Sequence, residues 1–263
     1  MKRRGGDFMR LGVCAGYERA EFIKNVGFDY FEYNLVSVFN LSDEEMREAE
    51  RVVNKLDFYS EAMGIMLPTH MKIVGNHINT GQVMSYLNKA LARAERLGCK
   101  KIVFGSSHSR NMPHDFYDKG HAYTQIASFL SNVAEILDKK GMELVIEPCP
   151  IHENNILTTI PEAYYVMHMV NKPNVKIMAD VYTMQFAHER LGVLEAYADA
   201  VDHIHLSSPI RRIPCPWDGF EYDMIFSSLK RMNYNSTLTI EAFHYDDFEE
   251  RVEGAYKLLS FLK

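Results

Sequence analysis

The chain has 263 residues, 47% of them hydrophobic and 24% charged, with a formal net charge of −6 from 29 basic and 35 acidic side chains. A chain of this size buries a large core without disulfides or a structural metal, and its composition excludes disorder and coiled coil. The acidic balance argues against nucleic acid as a partner, and no apolar run of about 18 residues offers a membrane span.

The opening stretch, Met1-Lys2-Arg3-Arg4-Gly5-Gly6-Asp7, is basic but carries no apolar segment of the signal-peptide kind. The first strand is expected at Leu11–Cys14 and the second at Tyr30–Asn34. A helix over about 43–63 follows, opened by Ser42 and Glu45 as a capping box, and then a strand at Ile65–His70. From Thr80 to Leu97 the residues Val83, Leu87, Ala90, Leu91 and Ala94 form one apolar stripe, with Gly98 as its C-terminal cap. A strand at Lys101–Gly105 leads to a helix that carries Ile126, Phe129, Leu130, Val133 and Leu137 on one face and ends at Gly141. Leu144–Glu147 is the fifth strand. Thr159 and Glu162 read as a second capping box, with Pro161 in the first turn. Strands at Val175–Asp180, His203–Leu206 and Leu238–Glu241 alternate with weaker helical patterns near 190–199, 222–232 and 247–261.

Eight strand–helix units in 263 residues average about 33 residues each. Repeated βα units imply parallel strands with crossover helices, and the length suits a (β/α)₈ TIM barrel, an α/β fold, as a single domain over 1–263. The rival, an open doubly wound sheet, lacks its signal: the first βα turn, Cys14-Ala15-Gly16-Tyr17, is no GxGxxG fingerprint. Four cysteines (Cys14, Cys99, Cys149, Cys215) lie far apart with no CxxC and read as reduced thiols of a cytoplasmic protein.

In such a barrel the functional residues project from the C-terminal strand ends. The fifth to eighth strands end in Glu147, Asp180, the pair His203 and His205, and Glu241. One carboxylate at a strand end is often a helix cap or an ion-pair partner. Three converging carboxylates repel one another unless a cation joins them. Three oxygen donors and one imidazole suit one divalent ion, Mn²⁺ first, then Mg²⁺ or Co²⁺. Zn²⁺ fits less well, because no thiolate takes part. Both histidines share a face by the period of two. His205, nearer the mouth, is the expected ligand, and His203 packs inside or supports it.

These residues resemble the xylose isomerase-like TIM barrels, the sugar phosphate isomerase/epimerase family, and within it the ketose 3-epimerases of the D-tagatose/D-psicose type. The resemblance is strongest over 144–243. It implies a metal set of Glu147, Asp180, His205 and Glu241, with Glu147 and Glu241 catalytic on opposite sides of the substrate carbon. It also implies substrate contacts from Glu153, in Glu153-Asn154-Asn155-Ile156-Leu157-Thr158, and from Arg211, in Arg211-Arg212-Ile213-Pro214. The implied activity is metal-dependent isomerisation or epimerisation of a sugar or sugar phosphate by proton transfer through a cis-enediolate. Homodimers or homotetramers are expected on the same ground. Where the family pattern has His three residues after the strand-six Asp, this chain has Thr183.

His70 and His108 are candidates for the mouth, His108 as a substrate contact. Glu32 is expected either to hydrogen-bond within the site or to close an ion pair. Trp217 and Phe243 read as an apolar wall of the pocket or, with more weight, as core, Cys14 and Cys149 as small pocket-lining residues, and His244 as a loop or surface residue. Other functions on this barrel are a dehydratase of a cyclic polyol, of the inosose dehydratase kind, an endonuclease IV-like abasic-site nuclease, and a sugar-binding barrel without turnover. The nuclease needs more histidine ligands than 181–220 supplies.

Overall fold

The computed structural model describes residues 8–243 and 247–263, so the basic opening stretch 1–7 and His244 lie outside the described residues. Eight parallel strands close on themselves: β1 Arg10–Cys14, β2 Tyr30–Asn34, β3 Ser60–Gly64, β4 Lys101–Phe104, β5 Glu143–Ile146, β6 Val175–Asp180, β7 Val201–Leu206 and β8 Thr237–Ile240. The ring closes where Leu11 of β1 pairs with Leu238 of β8. The helices between and after them are α1 Ala20–Val26, α2 Leu35–Asn40, α3 Asp43–Leu56, α4 Thr80–Arg96, α5 Ser107–Arg110, α6 Lys119–Lys139, α7 Ile160–Val170, α8 Val181–Phe186, α9 Leu191–Ala196, α10 Asp223–Arg231 and α11 Phe248–Leu259. The expected α/β barrel is the observed fold.

The helices start and stop for local reasons. Ser42 and Glu45 form the expected reciprocal capping box at the head of α3. α4 ends before Gly98 and α6 before Gly141, both with positive φ, which a residue without Cβ adopts at little cost. At α7 the second capping box is only half present. Thr159 accepts from the Glu162 amide, but the Glu162 carboxylate turns to the Thr158 amide at 2.7 Å, to Lys119 and to the Tyr123 hydroxyl. Donors from the neighbouring helix outcompete the capping amide.

The third strand differs from expectation. It runs over Ser60–Gly64, and 65–70 is loop, with His70 exposed on it. α3 stops at Leu56 because Asp57 takes the left-handed conformation, which frees the next segment to pair with β2. The pairing is non-local, so the absence of β-branched residues in Ser60-Glu61-Ala62-Met63-Gly64 does not prevent it.

Most of the apolar core lies between the strands and the helix ring. Inside the barrel, Val103, Val145 and Met178 form a small apolar cluster of their own. The other side of the interior is polar. Tyr30, Glu32, His203, His205 and Thr239 are all buried, and they are joined by hydrogen bonds. Gly12 makes this possible: a Cβ there would lie 2.3 Å from the Tyr30 ring. Among the described residues no helix is long and apolar enough to cross a membrane, and all four cysteines are free.

Candidate functional site at the barrel mouth

Parallel pairing brings the strand ends together in register. Asp180 at the end of β6 pairs with His205 of β7, and the ladder continues as the Glu147 amide donates to Phe104 and the Glu241 amide to Leu206. Glu147, His205 and Glu241 thereby converge, each offering one donor atom within 4.8 Å of the others. His205 Nδ1 lies 3.5 Å from a Glu147 oxygen and 3.2 Å from a Glu241 oxygen. Neither contact is a hydrogen bond, so this buried nitrogen has no hydrogen-bond partner.

Asp180 stands beside the trio and is tied to it through Arg211. The guanidinium of Arg211 donates to Asp180 Oδ2 at 2.6 Å and to Glu241. It lies between the rings of Tyr182 and Phe243, with centroids 4.5 and 4.7 Å away. The Arg211 backbone is left-handed, φ 59, a strained conformation for a residue with a side chain. Its amide donates to Ser208 and its carbonyl accepts from Phe243, which hold it there. Asp180 Oδ1 caps α8 by accepting from the Tyr182 amide at 2.9 Å, and Thr183 Oγ1 donates to Oδ2 at 3.2 Å. Thr183 thus supports the carboxylate from the position that holds a histidine in the family pattern.

Behind His205 sits Glu32, contributed by β2 from across the barrel. Its carboxylate meets His205 Nε2 at 3.1 and 3.2 Å and His203 Nε2 at 3.0 Å. Both alternatives expected for Glu32 are realised in one residue. His203 is the supporting histidine rather than the one facing the carboxylate trio.

The electrostatics follow from this packing. Burial pushes the Glu147 carboxyl up, with Glu241 and Asp180 adding to it and His205 only partly opposing. Partial burial alone would raise Glu241, but His205 and Arg211 hold it down at about 2. Burial works against charge on His205, yet Glu32 and Glu241 raise it well above the usual imidazole range. His203 is pushed down to about 4, chiefly by burial, with Glu32 opposing.

A divalent cation fits this donor set. Two carboxylates and an unpartnered buried imidazole nitrogen converge, and the backbone leaves room for them. A Cβ on Gly105 would sit 1.7 Å from Glu147 Oε2. The donors are mainly oxygen, which suits Mn²⁺ or Mg²⁺ better than a thiophilic ion.

A cavity of about 500 Å³ opens beside the trio, lined among others by Cys14, Glu32, Asn34, Ile65, Glu241 and Phe243. Phe243 is 57% exposed and Trp217 51%, so neither packs in the core, and Phe243 takes the alternative place in the cavity wall. Phe243 covers Arg211, and Trp217 lies over Gly254 of α11. Cys14 lines the cavity as expected, while Cys149 is buried with its thiol on the Gly105 carbonyl. Glu153 is half-buried in the segment after β5, its carboxylate 3.7 Å from His152. His108 is exposed on α5, its ring against Ser107 Oγ. Neither contacts the four strand-end residues. Missed from the sequence were Gly105 and Tyr182, whose parts depend on neighbours in space; a glycine immediately after a strand was the one available signal for the first.

Comparison with known proteins gives a consistent picture. A family model described as xylose isomerase-like TIM barrel matches residues 20–263. A probable ketose 3-epimerase of Synechocystis is 29% identical over 126 residues, 47% of this chain and 42% of that protein. D-psicose 3-epimerase of Agrobacterium fabrum is 26% identical over 167 residues, 60% and 55% of the two chains. The chain thus spans about half the length of these curated relatives. The crystal structure of D-psicose 3-epimerase with D-tagatose from Clostridium cellulolyticum superposes with a TM-score of 0.84 at 16% identity, over 97% of this chain and 99% of that one. At such identity the superposition speaks for the fold, and the match over 20–263 for the family: the chain belongs to the xylose isomerase-like TIM barrels.

Proposed function

We propose that the protein is a divalent-metal-dependent sugar isomerase or epimerase, acting on a ketose or a related sugar by moving a proton on the carbon next to its carbonyl. The observation that carries this reading is the pair of carboxylates, buried Glu147 just after β5 and partly exposed Glu241 just after β8, facing one histidine nitrogen from two sides. Their surroundings push their acidities apart, Glu147 up and Glu241 down. Divergent acidities of this kind mark an acid and a base. The relatives named as ketose 3-epimerases support the same class.

Glu147, Asp180, His205 and Glu241 would hold the cation. When bound, it acts as a Lewis acid that polarises the substrate carbonyl and acidifies the adjacent C–H. In one direction Glu241 would take the proton and Glu147 would return one to the opposite face, which inverts the stereocentre. In the reverse direction they exchange roles. Return of the proton to the neighbouring carbon gives aldose–ketose isomerisation instead. Arg211 keeps Glu241 ionised and fixes its orientation. Glu153 and His108 are the proposed contacts for the more distant hydroxyls, where positioning contributes much of the rate.

The test starts from metal content of the purified protein, followed by a ketose and aldose panel in deuterated water with Mn²⁺. The expected result is one ion per chain and solvent deuterium at the carbon beside the carbonyl. Glu147→Gln and Glu241→Gln should each abolish exchange, and full activity in either refutes the paired roles. Metal bound without exchange on any sugar, together with loss of water from a cyclic polyol, favours the dehydratase instead.

A further inference from the structure

We infer that Glu32 is a positioning residue that decides which nitrogen of His205 faces the cation. It takes the N–H at Nε2 of both His203 and His205, which reserves Nδ1 of His205 as the donor. The inference rests on the reading that Glu147, His205 and Glu241 hold a divalent ion.

The hydrogen bonds have only one consistent direction. Lys101, buried at the start of β4, can only donate, and its Nζ lies 2.9 Å from Thr237 Oγ1. Thr237 therefore accepts there. Its own hydrogen goes to His203 Nδ1 at 2.7 Å, a closer acceptor than the Asp202 carbonyl at 3.3 Å. His203 Nδ1 is then an acceptor, and its proton sits on Nε2, 3.0 Å from Glu32. The Glu32 carboxylate, 1% exposed, can only accept. His205 Nε2, at 3.1 and 3.2 Å from it, must donate. That leaves His205 Nδ1, which has no hydrogen-bond partner, for the carboxylate trio. The order runs from the closed end of the barrel to its mouth, and Glu32 is the link at which two imidazoles share one acceptor. A carboxylate on the far nitrogen also raises the basicity of a metal-bound imidazole.

A glutamine at 32 breaks this order. With its amide oxygen in the Oε2 position on His203, its NH₂ takes the Oε1 position, 3.1 Å from His205 Nε2, where two N–H groups would face each other. His203 is fixed from behind by Thr237. His205 has no such constraint and is the ring that changes tautomer, which places a proton on Nδ1.

The experiment measures Mn²⁺ affinity of the full chain by calorimetry for wild type, Glu32→Gln and Glu32→Asp. Nitrogen NMR of histidine-labelled, Mg²⁺-loaded protein then locates the ring proton of His205. The expected result is about a 10–100-fold loss of affinity in Glu32→Gln, partial recovery in Glu32→Asp, and a wild-type ring proton on Nε2. Wild-type affinity in Glu32→Gln overturns the inference and leaves the metal reading standing. A wild-type ring proton on Nδ1 also overturns it, and needs no variant to fold. A wild-type protein that binds no Mn²⁺ overturns the metal reading and this inference with it.

Discussion

Gly105→Ala separates the chemistry of the site from the stability of the barrel. The added Cβ would stand 1.7 Å from Glu147 Oε2 and 2.8 Å from its Cδ, whereas ordinary contact begins near 3.4 Å. The carboxylate oxygen must therefore withdraw by about 1.7 Å. Gly105 is not left-handed, so alanine meets no backbone penalty and narrows the unfolded ensemble, worth about 0.4–1 kcal/mol. The obstructing atoms are the end of a flexible side chain, so the cost of moving them is similar and the Tm should change by no more than about 2–4 °C. Metal ligation tolerates only about 0.2 Å, and a displacement of about 1 Å in a catalytic group costs on the order of 100-fold in rate. The expected loss in kcat/KM is at least about 100-fold, or about 2.7 kcal/mol of transition-state stabilisation, with weaker Mn²⁺ binding. Thermal melts, Mn²⁺ titration and steady-state rates on one preparation measure all three. A folded Gly105→Ala protein with wild-type Mn²⁺ affinity and turnover refutes the placement of Glu147 in the site.

Other perturbations test other parts of the structure. Gly12→Ala drives a Cβ to 2.3 Å from the buried Tyr30 ring, whose hydroxyl is bonded to Thr239, and should cost about 3 kcal/mol in urea unfolding. Arg211→Met leaves Asp180 and Glu241 without their shared cation. The metal-free Tm should fall, and Mn²⁺ should restore more of it than it adds to wild type. Glu189 accepts from the Ile160 amide at the head of α7, and burial raises its carboxyl from 4.5 to about 7. The folded state then binds its proton more tightly than the unfolded state does, so stability is highest below pH 4.5 on this account and declines as pH rises to about 7. Glu189 is only half-buried, and with solvent screening the effect is on the order of 1–2 kcal/mol. Glu189→Gln should flatten the stability profile across that window, and an unchanged slope refutes it.

The strand ends were legible because the information there is local. A short apolar strand ending in an acid is visible in Leu144–Glu147, in Val175–Asp180 and in Leu238–Glu241, and barrel topology brings these three endings and the histidines of β7 into one mouth. Glu32 was visible as a strand-end acid, but its partners belong to β7, and only closure of the ring carries β2 across to them. Gly105 is one more glycine until β4 and β5 pair and put Glu147 beside it. The third strand was misplaced for a related reason. Ile65-Met66-Leu67 has the more strand-like side chains, yet Met66 and Leu67 are buried in loop, while the pairing edge of β2 selects Ser60–Gly64. For Trp217 and Phe243 the sequence leaves pocket wall and core both open; in the fold Trp217 shields a glycine of α11, and Phe243 lines the cavity and covers a guanidinium.

Asp180 has its two oxygens in separate employment. Oδ1 closes the first turn of α8, and Oδ2 faces Arg211 and Thr183. Under the metal reading, Asp180 would offer a cation its Oδ2, and turning both oxygens to it would untie the helix that carries Tyr182 and Thr183. Helix and ligand are coupled at this one carboxylate: the residue that would hold a cation is also the residue that starts α8, so a change at Asp180 would be felt in both.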